Sequence, residues 1–288
     1  MIDKEKISEL RHLAARLRRD IILMVGVGQP GHIGGSCSSA ELIAVLYGWK
    51  MKHDPKNPKW EGRDRFLMSK GHAAIIQYAA LAELGYFPTS ALPTLKKFGS
   101  MLQGHPDIHK TPGIEANTGS LGQGLSISNG MALAMRLDKK PNRVFCILGD
   151  GELAEGQVWE AAMFAVAKKI DNVVAIVDQN GLQAMGAVAD RMNSNPLPDK
   201  WRGFGWHVIE IDGHDVEAIA AALDEAETVK GRPTALIAHT VKGKGFSFSH
   251  NTVAFHNGAM SQAQYDLGLK EAGEALAEFE PALEMEAH

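Results

Sequence analysis

The chain has 288 residues, 45% of them hydrophobic, enough to build one large α/β domain around a buried core. Its formal net charge of −4 leaves no basic footprint for nucleic acid, and no apolar run approaches the roughly 18 residues of a membrane-spanning helix. Two cysteines, Cys37 and Cys146, make no disulfide framework, and the N-terminus lacks a signal-peptide layout, so a reducing cytoplasm is the expected compartment.

In chain order, apolar residues at 7, 10, 13, 14, 17, 21 and 24 predict an amphipathic opening helix. It runs into the glycine-rich loop GVGQPGHIGGS (26–36), which holds His32, and a helix is predicted over 39–49. After a polar connector with Pro55 and Pro58, RFLMS (65–69) predicts a short strand that delivers Lys70, Gly71 and His72 to a helix over 73–84. Residues 99–120 have a loop composition and carry His105 in QGHPD. GSLGQG (119–124) then opens a helix of small residues to about 137. Glycines there let a backbone approach a ligand, and a helix N-terminus favours anions; tight helix packing is the alternative. The spacing is not G-x-G-x-x-G and no strand precedes it, which argues against a dinucleotide site.

The most informative stretch is VFCILGDGE (144–152), answered by VVAIVDQNG (173–181), with helical apolar spacing over 157–169 between them. Strand, helix, strand is a βαβ unit whose ligand end is the carboxyl end of its strands. Asp150 and Asn180 are therefore expected at the same end of two parallel, neighbouring strands. A hard divalent cation such as Mg²⁺ would find there a carboxylate, an amide oxygen and backbone carbonyls. Asp-Gly and Asn-Gly also mark hairpin turns, but the helical pattern that follows the first excludes a tight hairpin there.

Beyond this unit come a long polar segment (183–203), a strand over 206–211, a helix over 216–229 and a strand over 234–240. The alternation predicts an α/β fold with a parallel sheet flanked by helices. Residues 243–258 form a Gly/Ser/Phe loop, and an acidic helical tail closes the chain. The expected organisation is one domain over 1–260 with a helical extension over 261–288, and no internal repeat. Four histidines lie in glycine loops, His32, His72, His105 and His256, where each could be a surface or capping residue, a hydrogen-bond donor to phosphate, or a proton shuttle. His12, His53, His109, His207, His214, His239, His250 and His288 lack that context.

The Asp150/Asn180 pair, with 28 positions between Gly-Asp-Gly and Asn, resembles the thiamin diphosphate motif. The loops GHIGGS, DRFLMSKGHAA, GHPD, TPGIEANTGSLGQG, LGDGELAEGQVWEA, DQNGLQ and TVKGKGFSF, collinear over about residues 10–260, resemble transketolase, most closely the N-terminal subunit of its split form. The resemblance implies a diphosphate-binding α/β domain and transfer of a two-carbon ketol unit between phosphorylated sugars. It implies that Asp150, the Asn180 side chain and the Leu182 carbonyl hold Mg²⁺, or another divalent cation such as Ca²⁺. Gly119, Ser120, Leu121, Gly151, His72, Asn180 and His256 would contact thiamin diphosphate. His32, His72, His105 and His256 would face substrate and cofactor, and Glu155 would join an acidic network between two active sites.

The family's glutamate that activates the cofactor's pyrimidine ring lies on a second domain. Only 28 residues follow position 260 here, so the resemblance implies a partner subunit carrying that pyrimidine domain, in an α2β2 assembly. Three departures stand out: His256-Asn257-Gly258 in place of His-Gly, Ala184-Met185-Gly186 after the metal asparagine, and His239 in place of a lysine. Deoxyxylulose-phosphate synthase has a serine-rich loop where this chain has TGSLGQG. The alpha subunit of a 2-oxo acid dehydrogenase lacks the KGHAA and GHPD histidines. A non-catalytic cofactor-binding homologue is the third alternative, against which the intact Asp150, Asn180, Glu155 and four histidines count.

Overall fold

The opening pattern forms α1 (Lys4–Val25), begun by Asp3, whose side chain accepts the Lys6 N–H at 2.8 Å. The computed structural model describes residues 2–279, so the last part of the predicted tail, with His288, lies outside the described residues. After α1 come a two-residue strand β1 (Pro30–Gly31), then α2 (Ile33–Cys37) and α3 (Ala40–Val45), which continues as a wide turn to Lys50. Strand β2 (Arg65–Met68) leads through a tight turn at Gly71–Ala73 into α4 (Ala74–Glu83). The small-residue helix is α5 (Gln123–Leu137), and the βαβ unit is β3 (Val144–Gly149), α6 (Gly156–Ala167) and β4 (Val173–Gln179).

The segment read from sequence as a polar connector is more ordered than expected. It contains an antiparallel hairpin, β5 (Leu182–Gln183) with β6 (Gly186–Ala187), then α7 (Val188–Arg191) and α8 (Leu197–Gly203). Two side chains four apart, Leu197 and Trp201, decide this: both are fully buried, Trp201 against Trp159 and Trp206. The chain continues with β7 (His207–Asp212), α9 (Val216–Thr228), β8 (Thr234–His239), β9 (Gly258–Ala259) and α10 (Gln262–Ala277). A capping box between Ser261 and Gln264 starts α10, which packs against α1.

The five-stranded sheet runs β2-β3-β4-β8-β7, all parallel. Its inner strands β3, β4 and β8 are apolar on both faces because both faces are covered, whereas the edge strand β7 carries His207, Glu210 and Asp212. Phe145, Ile147, Val174 and Ile176 face a core made with α1, α3, α4 and α9. Val144, Cys146, Leu148 and Ala175 face a second core made with α5, α6 and α8. The chain moves one way from β2 to β4, then jumps to the edge and returns from β7 to β8, which puts α6 and α9 on opposite faces. Ligands of such sheets bind beyond the carboxyl ends of the strands where this direction reverses.

The start of α5 crosses the end of β2 at close range. A Cβ placed on Gly124 would stand 2.4 Å from the Cβ and Oγ of Ser69. Gly124→Ala should therefore destabilise the fold by about 1–3 kcal/mol through overpacking. Chemical denaturation measures this; an unchanged midpoint would mean the crossing yields.

Candidate functional site

The register of β3 against β4 pairs Gly149 with Asp178, so Asp150 and Asn180 leave the sheet side by side at its carboxyl end. There they help line a cavity of about 250 Å³ that also takes in His32, His72, Leu182, Lys70, Lys242 and His256. Each wall has a local cause. Antiparallel pairing of Pro30 with Ala259 and Gly31 with Gly258 brings the GHIGGS loop against the FHNG loop. The Gly34 N–H donates to the Phe255 carbonyl at 3.0 Å, and the Gly243 N–H to the Gly34 carbonyl at 3.0 Å. His32, His72 and His256 thereby converge, with ring centroids 4.9, 5.2 and 5.6 Å apart.

Below the cavity floor lies a fully buried carboxylate, Asp178. It is ion-paired with Lys70 and accepts hydrogen bonds from Ser38 at 2.6 Å, Ser39 at 3.2 Å, Thr240, and the Asn180 amide at 3.3 Å. Burial alone would raise its pKa, but the Lys70 ammonium outweighs that and holds it down at about 2. Glu152, also buried, accepts from Ser69, from the Gly122 N–H at 2.8 Å and from the Gly149 N–H at 3.0 Å, and so ties the GSLGQG turn to the end of β3.

Asp150 is placed differently. Its oxygens accept the Gly151 N–H at 2.9 Å and the Gly181 N–H at 2.6 Å, and it is only 4% exposed. Among the described residues no cation lies within ion-pair distance of it. Burial, with the nearby charge of Asp178, pushes its pKa up to about 6. Lys242 is its mirror image: buried, outside any ion pair among the described residues, and lowered to about 8 by burial and by Lys70. Its Nζ donates to the Leu182 carbonyl at 3.2 Å. A buried charge without a partner is costly. One cavity thus holds a buried carboxylate and a buried ammonium that stand outside any direct ion pair among the described residues and offset each other only at a distance, a pattern that suits a divalent cation together with a polyanion. The Asn180 amide oxygen, which accepts the Leu182 N–H at 3.2 Å, and the Leu182 carbonyl add neutral oxygens of the kind Mg²⁺ accepts.

Of the residues singled out from sequence, His32, His72, Gly119, Leu121, Asp150, Gly151, Asn180, Leu182 and His256 line this cavity. His105 does not; it is exposed, its ring lying over Gly119 so closely that a Cβ there would stand 2.6 Å from it. Ser120 is exposed beside the wall, and Glu155 is exposed at the start of α6. Sequence reasoning missed Lys70, Glu152, Asp178 and Lys242. Lys70 and Glu152 stood inside quoted motifs, and Asp178 is a carboxylate at the end of an apolar strand, a signal that could have been read.

The family model "Transketolase, thiamine diphosphate binding domain" matches residues 2–281. The chain is 45% identical to 6-deoxy-6-sulfo-D-fructose transketolase subunit SqwG of Clostridium sp. (strain MSTE9), over 91% of this chain and 96% of that one. It is 39% identical to a subunit of the apulose-4-phosphate transketolase of Phocaeicola vulgatus, over 91% and 93%. Its fold matches the solved transketolase of Leishmania mexicana with a TM-score of 0.80 at 28% identity, covering 98% of this chain and 46% of that one. The chain spans about half the length of the solved structures it matches.

Burial depresses the pKa of His32 to about 3, of His72 to about 2 and of His256 to about 4. All three are neutral at pH 7. Below pH 6.5 the unfolded chain takes up protons that the folded chain refuses, so these groups withdraw stability as the pH falls from there toward 4. His72→Asn should flatten the fall of the unfolding temperature across that window. Parallel curves for the variant and wild type would show that His72 titrates normally.

Proposed function

The chain belongs to the transketolase family, and from that premise we propose that it is the diphosphate-binding subunit of a two-component transketolase. It would move a two-carbon ketol unit from a ketose phosphate to an aldose phosphate, together with a second subunit carrying the pyrimidine domain. The observation that carries this reading is the presence of Asp150 and Lys242, buried and outside any direct ion pair among the described residues, in one cavity walled by three neutral imidazoles. Near-complete coverage of two relatives named as subunits supports the division into two chains.

Thiamin diphosphate, when bound, supplies the carbon nucleophile that ketol transfer needs. Asp150, the Asn180 amide oxygen and the Leu182 carbonyl hold Mg²⁺, with Ca²⁺ as the alternative cation. Lys242, Lys70, His72 and the Gly151 backbone face the diphosphate, with Gly119, Ser120 and Leu121 closing the side of the cavity. His32, His72 and His256 stay neutral in the pocket, able to donate or accept a proton at substrate hydroxyls, and His105 extends this row at the rim. The substrates are phosphorylated sugars.

The partner subunit covers the open side of the cavity, where Met185 at the hairpin tip is 70% exposed. Self-association into an α2β2 assembly uses the α5–α6 face, on which Met163 and Phe164 are exposed, and places Glu155 between two sites. Residues 1–260 form the diphosphate-binding domain and 261–288 its extension. The compartment is the cytoplasm; among the described residues no helix is long and apolar enough to cross a membrane.

Asp150→Ala should abolish Mg²⁺-dependent binding of thiamin diphosphate, and Asp150→Asn should weaken it less, because an amide oxygen still coordinates. Calorimetric titration reads this, and undiminished affinity in the alanine variant would remove the cation site. The purified chain alone should show no ketol transfer from xylulose 5-phosphate to ribose 5-phosphate and should gain it in proportion to complex formed with the second subunit. Steady-state turnover of the isolated chain equal to that of the complex would refute the two-chain reading. In the complex, His72→Ala should lower turnover by about 10²–10⁴, as loss of a positioned proton donor does.

A further inference from the structure

Behind the cavity wall runs a buried ionic chain that none of the groups above requires. Arg18 of α1 donates to both carboxylate oxygens of Glu41 on α3, at 2.7 and 2.6 Å. Glu41 Oε2 lies 2.9 Å from Nδ1 of His214, in the turn between β7 and α9, and His214 Nε2 accepts the Val241 N–H at 2.9 Å. An imidazole that accepts at Nε2 carries its proton on Nδ1, so His214 donates to Glu41 and its ring orientation is set from both sides. The side chains of Arg18, Glu41 and His214 are 11%, 9% and 8% exposed.

This chain grips the loop that carries Lys242 at two points on either side of it. Val241 is held through its N–H. Gly245, at φ 102°, lies so close over the Arg18 stem that a Cβ there would stand 2.6 Å from Arg18 Cδ. Arg18 also donates to the carbonyl of Cys37 at 3.2 Å, the last residue of α2, and the Gly34 carbonyl of that helix accepts the Gly243 N–H. Of the two lysines in the loop, Lys242 lines the cavity and Lys244 does not.

We infer that His214 is a positioning residue for the diphosphate site: through the Val241 N–H it fixes where the Lys242 ammonium stands against the Leu182 carbonyl. The inference rests on the reading of the cavity as a diphosphate site. His214→Asn keeps an amide donor near Glu41 but withdraws the acceptor from Val241. His214→Gln places an acceptor near the Nε2 position and should restore the bond.

Two readouts on the chain in complex with its second subunit decide the matter: calorimetric affinity for thiamin diphosphate at saturating Mg²⁺, and amide hydrogen exchange of residues 241–245. His214→Asn should weaken cofactor binding about tenfold, the effect of one lost hydrogen bond at a charged site, with faster exchange confined to 241–245. His214→Gln should bind like wild type. In a Lys242→Ala background the asparagine change should add less than about twofold, because its effect passes through Lys242. A purely structural role predicts equal losses in both variants and a full multiplicative loss without Lys242, and either result overturns the inference, as does unaltered binding by His214→Asn. A wild-type complex with no affinity for the cofactor would instead overturn the diphosphate reading, and the inference with it.

Discussion

Asp178 sits fully buried at the end of the central strand, and Lys70, Ser38, Ser39, Thr240 and Asn180 all direct polar groups at its carboxylate. These groups come from the end of β2, the turn between α2 and α3, the end of β8 and the loop after β4. One carboxylate therefore sets the relative positions of four chain segments that are far apart in sequence. Removing one member of such a pair typically costs about 3–5 kcal/mol, because the other is left charged in a dry interior. The pair's main contribution is to specify a single arrangement rather than to add stability, since a well-packed apolar substitute can be as stable. The arrangement it specifies is the floor of the cavity.

Two aspartates at the carboxyl ends of adjacent strands, one register step apart, carry opposite assignments for a purely environmental reason. Asp178 faces inward onto Lys70 and is held ionised, with its charge balanced inside the protein. Asp150 faces the cavity, where backbone N–H groups orient it and no cation among the described residues stands in direct ion-pair contact with it. Lys242 repeats the logic with the opposite sign. Asp178 is in a direct ion pair, and these two cavity charges are not.

The sheet explains why the cavity lies where it does. Because both faces are covered by helices, the ends of the strands are the free surface, and the reversal of direction beyond β4 opens a gap between the loops there. The pairing of β1 with β9 closes one side by bringing two distant loops together. The opposite side stays open beside the hairpin of β5 and β6. A site with one open side suits a pocket that a second component finishes.

The apolar runs ending in Gly-Asp-Gly and Gln-Asn-Gly suffice to place a parallel strand pair with Asp150 and Asn180 at one end, because strand period and helix period are local properties of the chain. Glycine contexts likewise pick out His32, His72 and His256, and with them His105, which stands exposed outside the cavity. Local pattern fails where packing decides: the 183–203 segment looks polar, yet Leu197 and Trp201 anchor a helix there. His214 stands among the histidines without a supporting context, and the hydrogen bonds of its ring go to residues 27 or more positions away, a separation no window on the sequence can bridge. Fold class, family and the end of the βαβ unit at which Asp150 and Asn180 stand together are legible in the letters alone. Which charges are balanced emerges only in the folded chain, since a carboxylate's partner is set by three-dimensional proximity, and Asp150 and Asp178 look equally acidic in a string of letters.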